Sequence, residues 1–249
     1  MKRTEADVVI VGAGFSGIGV AIALQSAGID DFWLLEKGKE LGGTWRDNTY
    51  PGCACDVPSQ LYSFSYAPKS DWSRVFAPQS EIQDYTIDVA DKFGVLEKIR
   101  FESEALEISW DDHDQTWTVT TPNEIFVARF VVGAQGPLHE VRIPEIAGLN
   151  RFKGNFFHSA RWDHGHDLRG RRVAVVGTGS SAIQFIPKIQ PQVEKLNVFQ
   201  RTPGWVLPKP DHAIPPAERW AFENVPFFQK GLRKRITREP KRCVNATVP

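Results

Sequence analysis

The 249-residue sequence predicts an α/β protein made of two Rossmann-like dinucleotide-binding folds with a small antiparallel β-meander between them. Three observations carry this. A β-branched run, a glycine turn and an apolar helical stretch open the chain in that order. The same device returns 165 residues later, from Gly12 to Gly177. Between the two lies a β-rich stretch cut by turn residues.

Taken in order, Val8-Val9-Ile10-Val11 reads as a strand buried on both faces. Ile18 to Ala27 has helical apolar spacing and stops at Gly28, and Phe32 to Leu35 reads as the next parallel strand, completing a βαβ unit. Residues 42–78 are rich in Gly, Pro, Tyr and Trp without a period, the mark of a long functional loop that covers a ligand. Glu81 to Phe93 is helical. Ala105–Trp110, Trp117–Thr121 and Ile125–Val132 form the meander. Val173–Val176, Ile183–Ile189 with its internal Pro187, and Leu196–Phe199 repeat the opening. Five prolines between Pro203 and Pro216 mark an extended loop. The expected division is a first nucleotide domain over 1–150, a linker over 151–170, and a second nucleotide domain with a basic tail over 171–249.

Composition excludes several classes. Thirty basic and thirty acidic side chains give no net charge, so the chain as a whole has no field to hold nucleic acid or an anionic membrane. Apolar residues at 41% and charged residues at 24% are globular values. The apolar run Val8–Leu24 is broken by four glycines and is too short to span a membrane. Three cysteines, with Cys53 and Cys55 in a CxC that lacks the further ligands zinc requires, suit a reducing cytoplasm and predict no metal site.

Gly12-Ala13-Gly14-Phe15-Ser16-Gly17 matches GxGxxG between strand and helix. Gly12 allows the tight turn, Gly14 the approach of a pyrophosphate, and Gly17 close helix–sheet packing. Glu36 follows Gly17 by nineteen positions, where a carboxylate accepts from the adenosine ribose hydroxyls. The second turn, Gly177-Thr178-Gly179-Ser180-Ser181-Ala182, is the GxGxxA form. The same count from Ala182 falls on Arg201, which suits a 2′-phosphate, with Thr202 as a second donor. A Glu-type fold followed by an Arg-type fold describes an FAD protein reduced by NADPH. Disulfide exchange is disfavoured, because Gly42-Gly43-Thr44 is followed by Trp45 and not by a cysteine.

Phe152-Lys153-Gly154-Asn155-Phe156-Phe157-His158-Ser159-Ala160-Arg161-Trp162-Asp163 matches FxGxxxHxxxW followed by Asp. It resembles the fingerprint of Baeyer–Villiger monooxygenases, within the class B flavin-containing monooxygenases. Gly42–Trp45, Tyr50–Asp56, Gly133–Pro137 and Gln200–Pro203 look like further stretches of that family, and the resemblance runs over roughly residues 8–215. It implies FAD and NADP(H) as cofactors and flavin contacts from Gly43, Thr44, Trp45, Tyr62 and Ala134. It implies O2 activation as a C4a-peroxyflavin, with oxygen inserted into a ketone or added to a sulfide or amine. Asp56 matches the aspartate that pairs with an active-site arginine. For His158 and Trp162 it implies a structural or conformational role on the linker, and His164 and His166, which show no partner pattern, read as surface residues.

The same family returns after the second fold with further strands, the catalytic arginine and the substrate pocket, and no segment after Arg201 matches these. Both folds are therefore expected to be incomplete, with an early stop or frameshift near residue 237. The alternative to a working enzyme is a truncated, non-catalytic remnant that at best binds FAD. Arg233, Lys234, Arg235, Arg238, Lys241 and Arg242 form a basic tail, read as a solvated helix face. The oligomeric state and the substrate are not legible.

Overall fold

A computed structural model describes residues 1–138, 140–206 and 208–238, and the chain forms two compact units. The first comprises Met1–Asp47 and Gln83–Arg142, the second Asn48–Ile82 and Ile143–Pro249. The aromatic, glycine-rich segment 48–82, assigned by sequence to the first domain, thus packs with the second unit. The segment carries no period that would tie it to either fold.

In the first unit, β1 (Lys2–Val11), β2 (Phe32–Leu35), β3 (Ile99–Arg100), β4 (Glu107–Asp111), β5 (Thr116–Thr120) and β6 (Glu124–Gly133) make one sheet in the order β3-β2-β1-β6-β5-β4. β1 lies between two parallel neighbours, with Val9 opposite Trp33 of β2 and Val131 of β6. That central place explains the β-branched run: Val8 to Val11 are all buried, and buried parallel strands need apolar side chains on both faces. The antiparallel meander β4-β5-β6 is continuous with the parallel sheet through β6. Tilted Trp110 and Trp117 rings, 5.2 Å apart, face each other across β4 and β5.

Helix α1 (Phe15–Ser26) buries Gly17, Ile18, Ala21 and Ile22. It closes in a Schellman arrangement: Gly28 is left-handed at φ +77°, its N–H reaches Gln25 O, and the Ile29 N–H reaches Leu24 O. A single turn, α2 (Thr44–Asp47), and a longer helix, α3 (Gln79–Lys92), follow. Ile82, Tyr85, Thr86, Val89 and Ala90 of α3 are buried, which is the spacing of one helical face.

The second unit holds β7 (Arg172–Val176), α4 (Ser180–Ile189) and β8 (Lys195–Phe199), the two strands parallel with Val173 opposite Leu196. Ala182, Phe185 and Ile189 form the buried face of α4. Segment 48–82 has little regular structure yet buries Trp72, Phe76 and Ala77. Backbone bridges tie Ala54 to Pro78 and Arg74 to Ala213. Helices α5 (Pro216–Asn224) and α6 (Phe228–Arg238) complete it and bury Phe222 and Ile236. In α6, Arg233 is turned inward, donating to Gln60 O and Ser63 Oγ, so the basic face is not wholly solvated. Residues 239–249 of the basic tail lie outside the described residues.

Candidate functional site

The first glycine turn begins where β1 ends. Gly12 has φ +108°, and a Cβ there would come 2.5 Å from Ala134 O; a Cβ on Gly17 would overlap Gly12 O. Neither position accepts a side chain without moving backbone. Ala134, just past β6, donates its N–H to Val11 O at 2.8 Å, which brings the end of the neighbouring strand against the turn. Gly14 is the N-cap of α1, with no side-chain cap and no acidic residue in the first turn. The helix N-terminus therefore keeps the donors and partial positive charge that suit an anion. Gly43, at φ +55°, lies against Gly14, and the Gly42 N–H donates to Ala13 O at 2.9 Å. Thr44 and Trp45 continue from it into α2, with Trp45 buried. The Phe15 ring lies 6.0 Å from that of Tyr85.

Glu36 stands one residue past β2 and is almost fully buried. Its Oε2 accepts the Ala13 N–H at 3.1 Å, which fixes the carboxylate beside the phosphate turn. Its Oε1 accepts from the Gly38 N–H at 2.7 Å and from Arg46 Nη1 at 2.6 Å. Burial works against the Arg46 charge, but hydrogen bonds and attraction to Asp47 and Glu36 outweigh it and hold the guanidinium pKa above its usual value. A side-chain-free cradle, an uncapped helix start and a buried carboxylate one strand away fit an adenine dinucleotide. Gly12, Gly14, Phe15, Ser16, Gly17, Glu36, Gly43, Thr44, Trp45 and Ala134 all fall within this unit. Arg46 escaped the sequence reading, since nothing in the pattern places it against Glu36.

The second unit repeats the turn. Gly177 has φ +103°, close to the Gly12 value, and Gly179 is the N-cap of α4, again without a side-chain cap. Thr178 lies between them, and Ser180 and Ser181 open the helix. The Gly177 N–H donates to Phe199 O at 2.8 Å, so the end of β8 borders the turn. Arg201 and Thr202 follow that strand end at once, both exposed.

Asp56 also belongs to this unit, and its partners differ from the arginine implied by the resemblance. Gln184 Nε2 of α4 donates to Asp56 Oδ1 at 2.9 Å, and Lys209 Nζ donates to the same oxygen at 3.0 Å. Lys209 also donates to Cys55 O and lies 4.7 Å over the Phe76 ring. Gln184 uses its whole amide: Oε1 accepts from Tyr50 OH and the Ala54 N–H, and Nε2 also donates to Ala54 O. Gly52 lies so close to α4 that a Cβ would come 2.8 Å from Lys188 Cγ. The loop 50–56 is thereby fastened along one helix. Burial pushes the Cys55 thiol up to about 11, and it raises the Cys53 and Tyr50 pKa values as well. Tyr62 donates its backbone N–H to Pro58 O at 3.0 Å. Gln184 and Lys209 were invisible in the sequence, because their roles depend on contacts more than 120 residues away.

In the fingerprint, His158 caps a 3-10 turn (Ser159–Arg161), its Nδ1 accepting the Ala160 N–H at 3.1 Å. Trp162 packs between Phe157 and Phe185, each 5.2 Å away, and Asp163 Oδ1 accepts the Gly165 N–H. Phe152 is exposed, and its ring lies across Gly154, where a Cβ would come 2.6 Å from Cζ. His164 and His166 do have partners: Thr49 Oγ1 at 2.7 Å and Asn155 Nδ2 at 2.8 Å. His164 is exposed and His166 half-buried, and no pattern in the sequence points to either partner. Among the described residues, no group of three His, Cys, Asp or Glu side chains could hold a metal ion, and no helix is long and apolar enough to cross a membrane.

Comparison with known proteins agrees with this geometry. A family model described as flavin-binding monooxygenase-like matches residues 5–236. A Baeyer–Villiger monooxygenase of Streptomyces coelicolor is 51% identical over 223 residues, covering 90% of this chain and 43% of that protein. One from Pseudomonas aeruginosa is 47% identical over 224 residues, covering 90% and 42%. Among solved structures, an oxidized steroid monooxygenase bound to NADP superposes with a TM-score of 0.83 at 39% identity, covering 95% of this chain and 45% of that one. OTEMO in complex with FAD and NADP gives 0.81 at 34% identity, covering 89% and 44%. The chain thus spans under half the length of the relatives it matches.

Proposed function

The chain belongs to the flavin-binding monooxygenase-like family, and from that premise we propose that it carries the FAD-binding fold and part of the NADP(H)-binding fold of an NADPH-dependent Baeyer–Villiger-type monooxygenase. The observation that carries the reading is Glu36, buried at the end of β2 and bonded through Ala13 to a glycine turn that admits no side chain.

In this reading the α1 N-terminus and the Gly12–Gly17 turn bind the FAD pyrophosphate, and Glu36 accepts from the adenosine ribose. The Gly177–Ser181 turn binds the NADP(H) pyrophosphate, and Arg201 with Thr202 binds the 2′-phosphate. Tyr62 and the fingerprint keep the roles that the resemblance implies, and Asp56, held by Gln184 and Lys209, stands near the flavin. When bound, the flavin supplies the electron transfer and oxygen chemistry, while these residues orient it and exclude water. The co-substrates are O2 and a small ketone, sulfide or amine.

Purification with FAD tests the proposal. A yellow protein that oxidises NADPH and oxygenates a ketone supports it, and a colourless product overturns the FAD assignment. A yellow product that turns over no ketone leaves a flavin-binding piece of such an enzyme. Arg201→Ala tests the second site. Its binding of NADPH should weaken about tenfold or more against NADH, and an unchanged preference would sink the 2′-phosphate assignment.

A further inference from the structure

We propose that Arg46 is a positioning residue for the adenosine end of the first nucleotide site, filling one oxygen of Glu36 so that only the other reads a ribose hydroxyl. The inference rests on the FAD reading above and goes beyond it by assigning the recognition to a single oxygen.

A carboxylate offers about four acceptor positions, two on each oxygen. On Glu36, both positions of Oε1 are filled, by the Gly38 N–H at 2.7 Å and Arg46 Nη1 at 2.6 Å. Among the described residues Oε2 accepts only the Ala13 N–H, at 3.1 Å, leaving one position beside the phosphate turn. Arg46 is itself held on all sides. Its Nη1 also donates to Glu40 O at 2.6 Å, and its Nε and Nη2 form a fork on Asp47 at 2.7 and 3.2 Å. Both side chains of the pair are largely buried, at 15% and 6% exposure, so the contact between them is shielded from water.

Gly38 supplies an independent observation. A Cβ there would overlap Arg46 Nη1 and come 2.7 Å from its Cζ. A side chain at position 38 would have to push the guanidinium tip aside from its place on Glu36. Lysine at position 46 could restore charge but not the planar fork that engages Glu36 and Asp47 together.

The test is competition against FAD binding to the 249-residue chain, followed by flavin fluorescence, with ADP, 2′-deoxy-ADP and 3′-deoxy-ADP. In the wild type, one deoxy analogue should compete about tenfold more weakly than ADP, because a hydrogen bond to a charged acceptor is lost, and the other should compete like ADP. Arg46→Met should weaken FAD binding about tenfold and reduce that discrimination to less than twofold. Arg46→Lys should recover FAD affinity but not the discrimination. A merely structural role would weaken all three ligands equally, so a tenfold ratio that survives in Arg46→Met overturns the proposal, as would equal losses for both deoxy analogues in the wild type. Gly38→Ala, which displaces the guanidinium while keeping both charges, should abolish the discrimination too, and serves if Arg46→Met does not fold. A wild-type chain that binds no FAD fails at the first titration, before any variant, and removes the FAD reading itself.

Discussion

Gly17 shows how much of the site depends on the absence of one atom. A methyl there would overlap Gly12 O, and both residues lie on backbone fixed by a strand on one side and a helix on the other. Gly17→Ala should therefore cost about 1–3 kcal/mol of stability, the usual range for overpacking, and weaken FAD binding in parallel. Urea unfolding with and without FAD would measure both, and an unchanged midpoint would contradict the close packing. At this scale, the turn glycines and Glu36 were legible in the sequence because their chemistry depends on spacing along one βαβ unit. Arg46, Gln184 and Lys209 were not. Each acts on a partner that only the folded chain brings near, and in an exposed loop the same residue types would mean nothing.

Helix α4 does two tasks at once: its first residues form a phosphate turn, and its middle fastens the loop 50–56 through the Gln184 amide. Gln184→Leu removes all four hydrogen bonds with little change in volume, so the loop should lift from the helix. Cys53 and Cys55 report this. Both thiols are buried, with pKa values raised by that burial, so at pH 8 they should label slowly. In a Cys243→Ser background, Gln184→Leu should increase their labelling rate about tenfold or more, and an unchanged rate would show that the amide does not hold the loop. Elements with a period were legible: β2 matches the expected range, and α1, α3 and the meander strands match within a few residues. The strand β3, two residues long, offered no pattern to find. β1 begins six residues earlier than its apolar run, because Lys2 to Ala6 pair with β6 at the sheet's polar end.

Over the whole chain, each unit has its own candidate ligand, and linkage should separate them. FAD at a hundred times its dissociation constant stabilises the fold that binds it by about 2.7 kcal/mol, as does NADP+ for its own fold. Calorimetry with each ligand alone should raise different parts of the unfolding profile. If both ligands moved one and the same component, the assignment of one nucleotide to each glycine turn would be wrong. The division into units was the least legible feature of all. Sequence order implied consecutive domains, whereas the chain passes between the units three times, after Asp47, Ile82 and Arg142. What decides membership is which core receives the aromatic side chains of 48–82, and no local pattern records that.

The place of β1 between β2 and β6 also has a consequence for synthesis. The parallel partner on one side begins at Glu124, more than a hundred residues after Lys2. A ribosome adding roughly 5–20 residues per second needs about 6–25 s to deliver that partner. For that interval Val8 to Val11, the most buried run of the finished sheet, has at best one neighbouring strand. A nascent chain of this kind should be a strong client for chaperones until β6 emerges, and production of the protein should depend on how quickly the ribosome reaches residue 133.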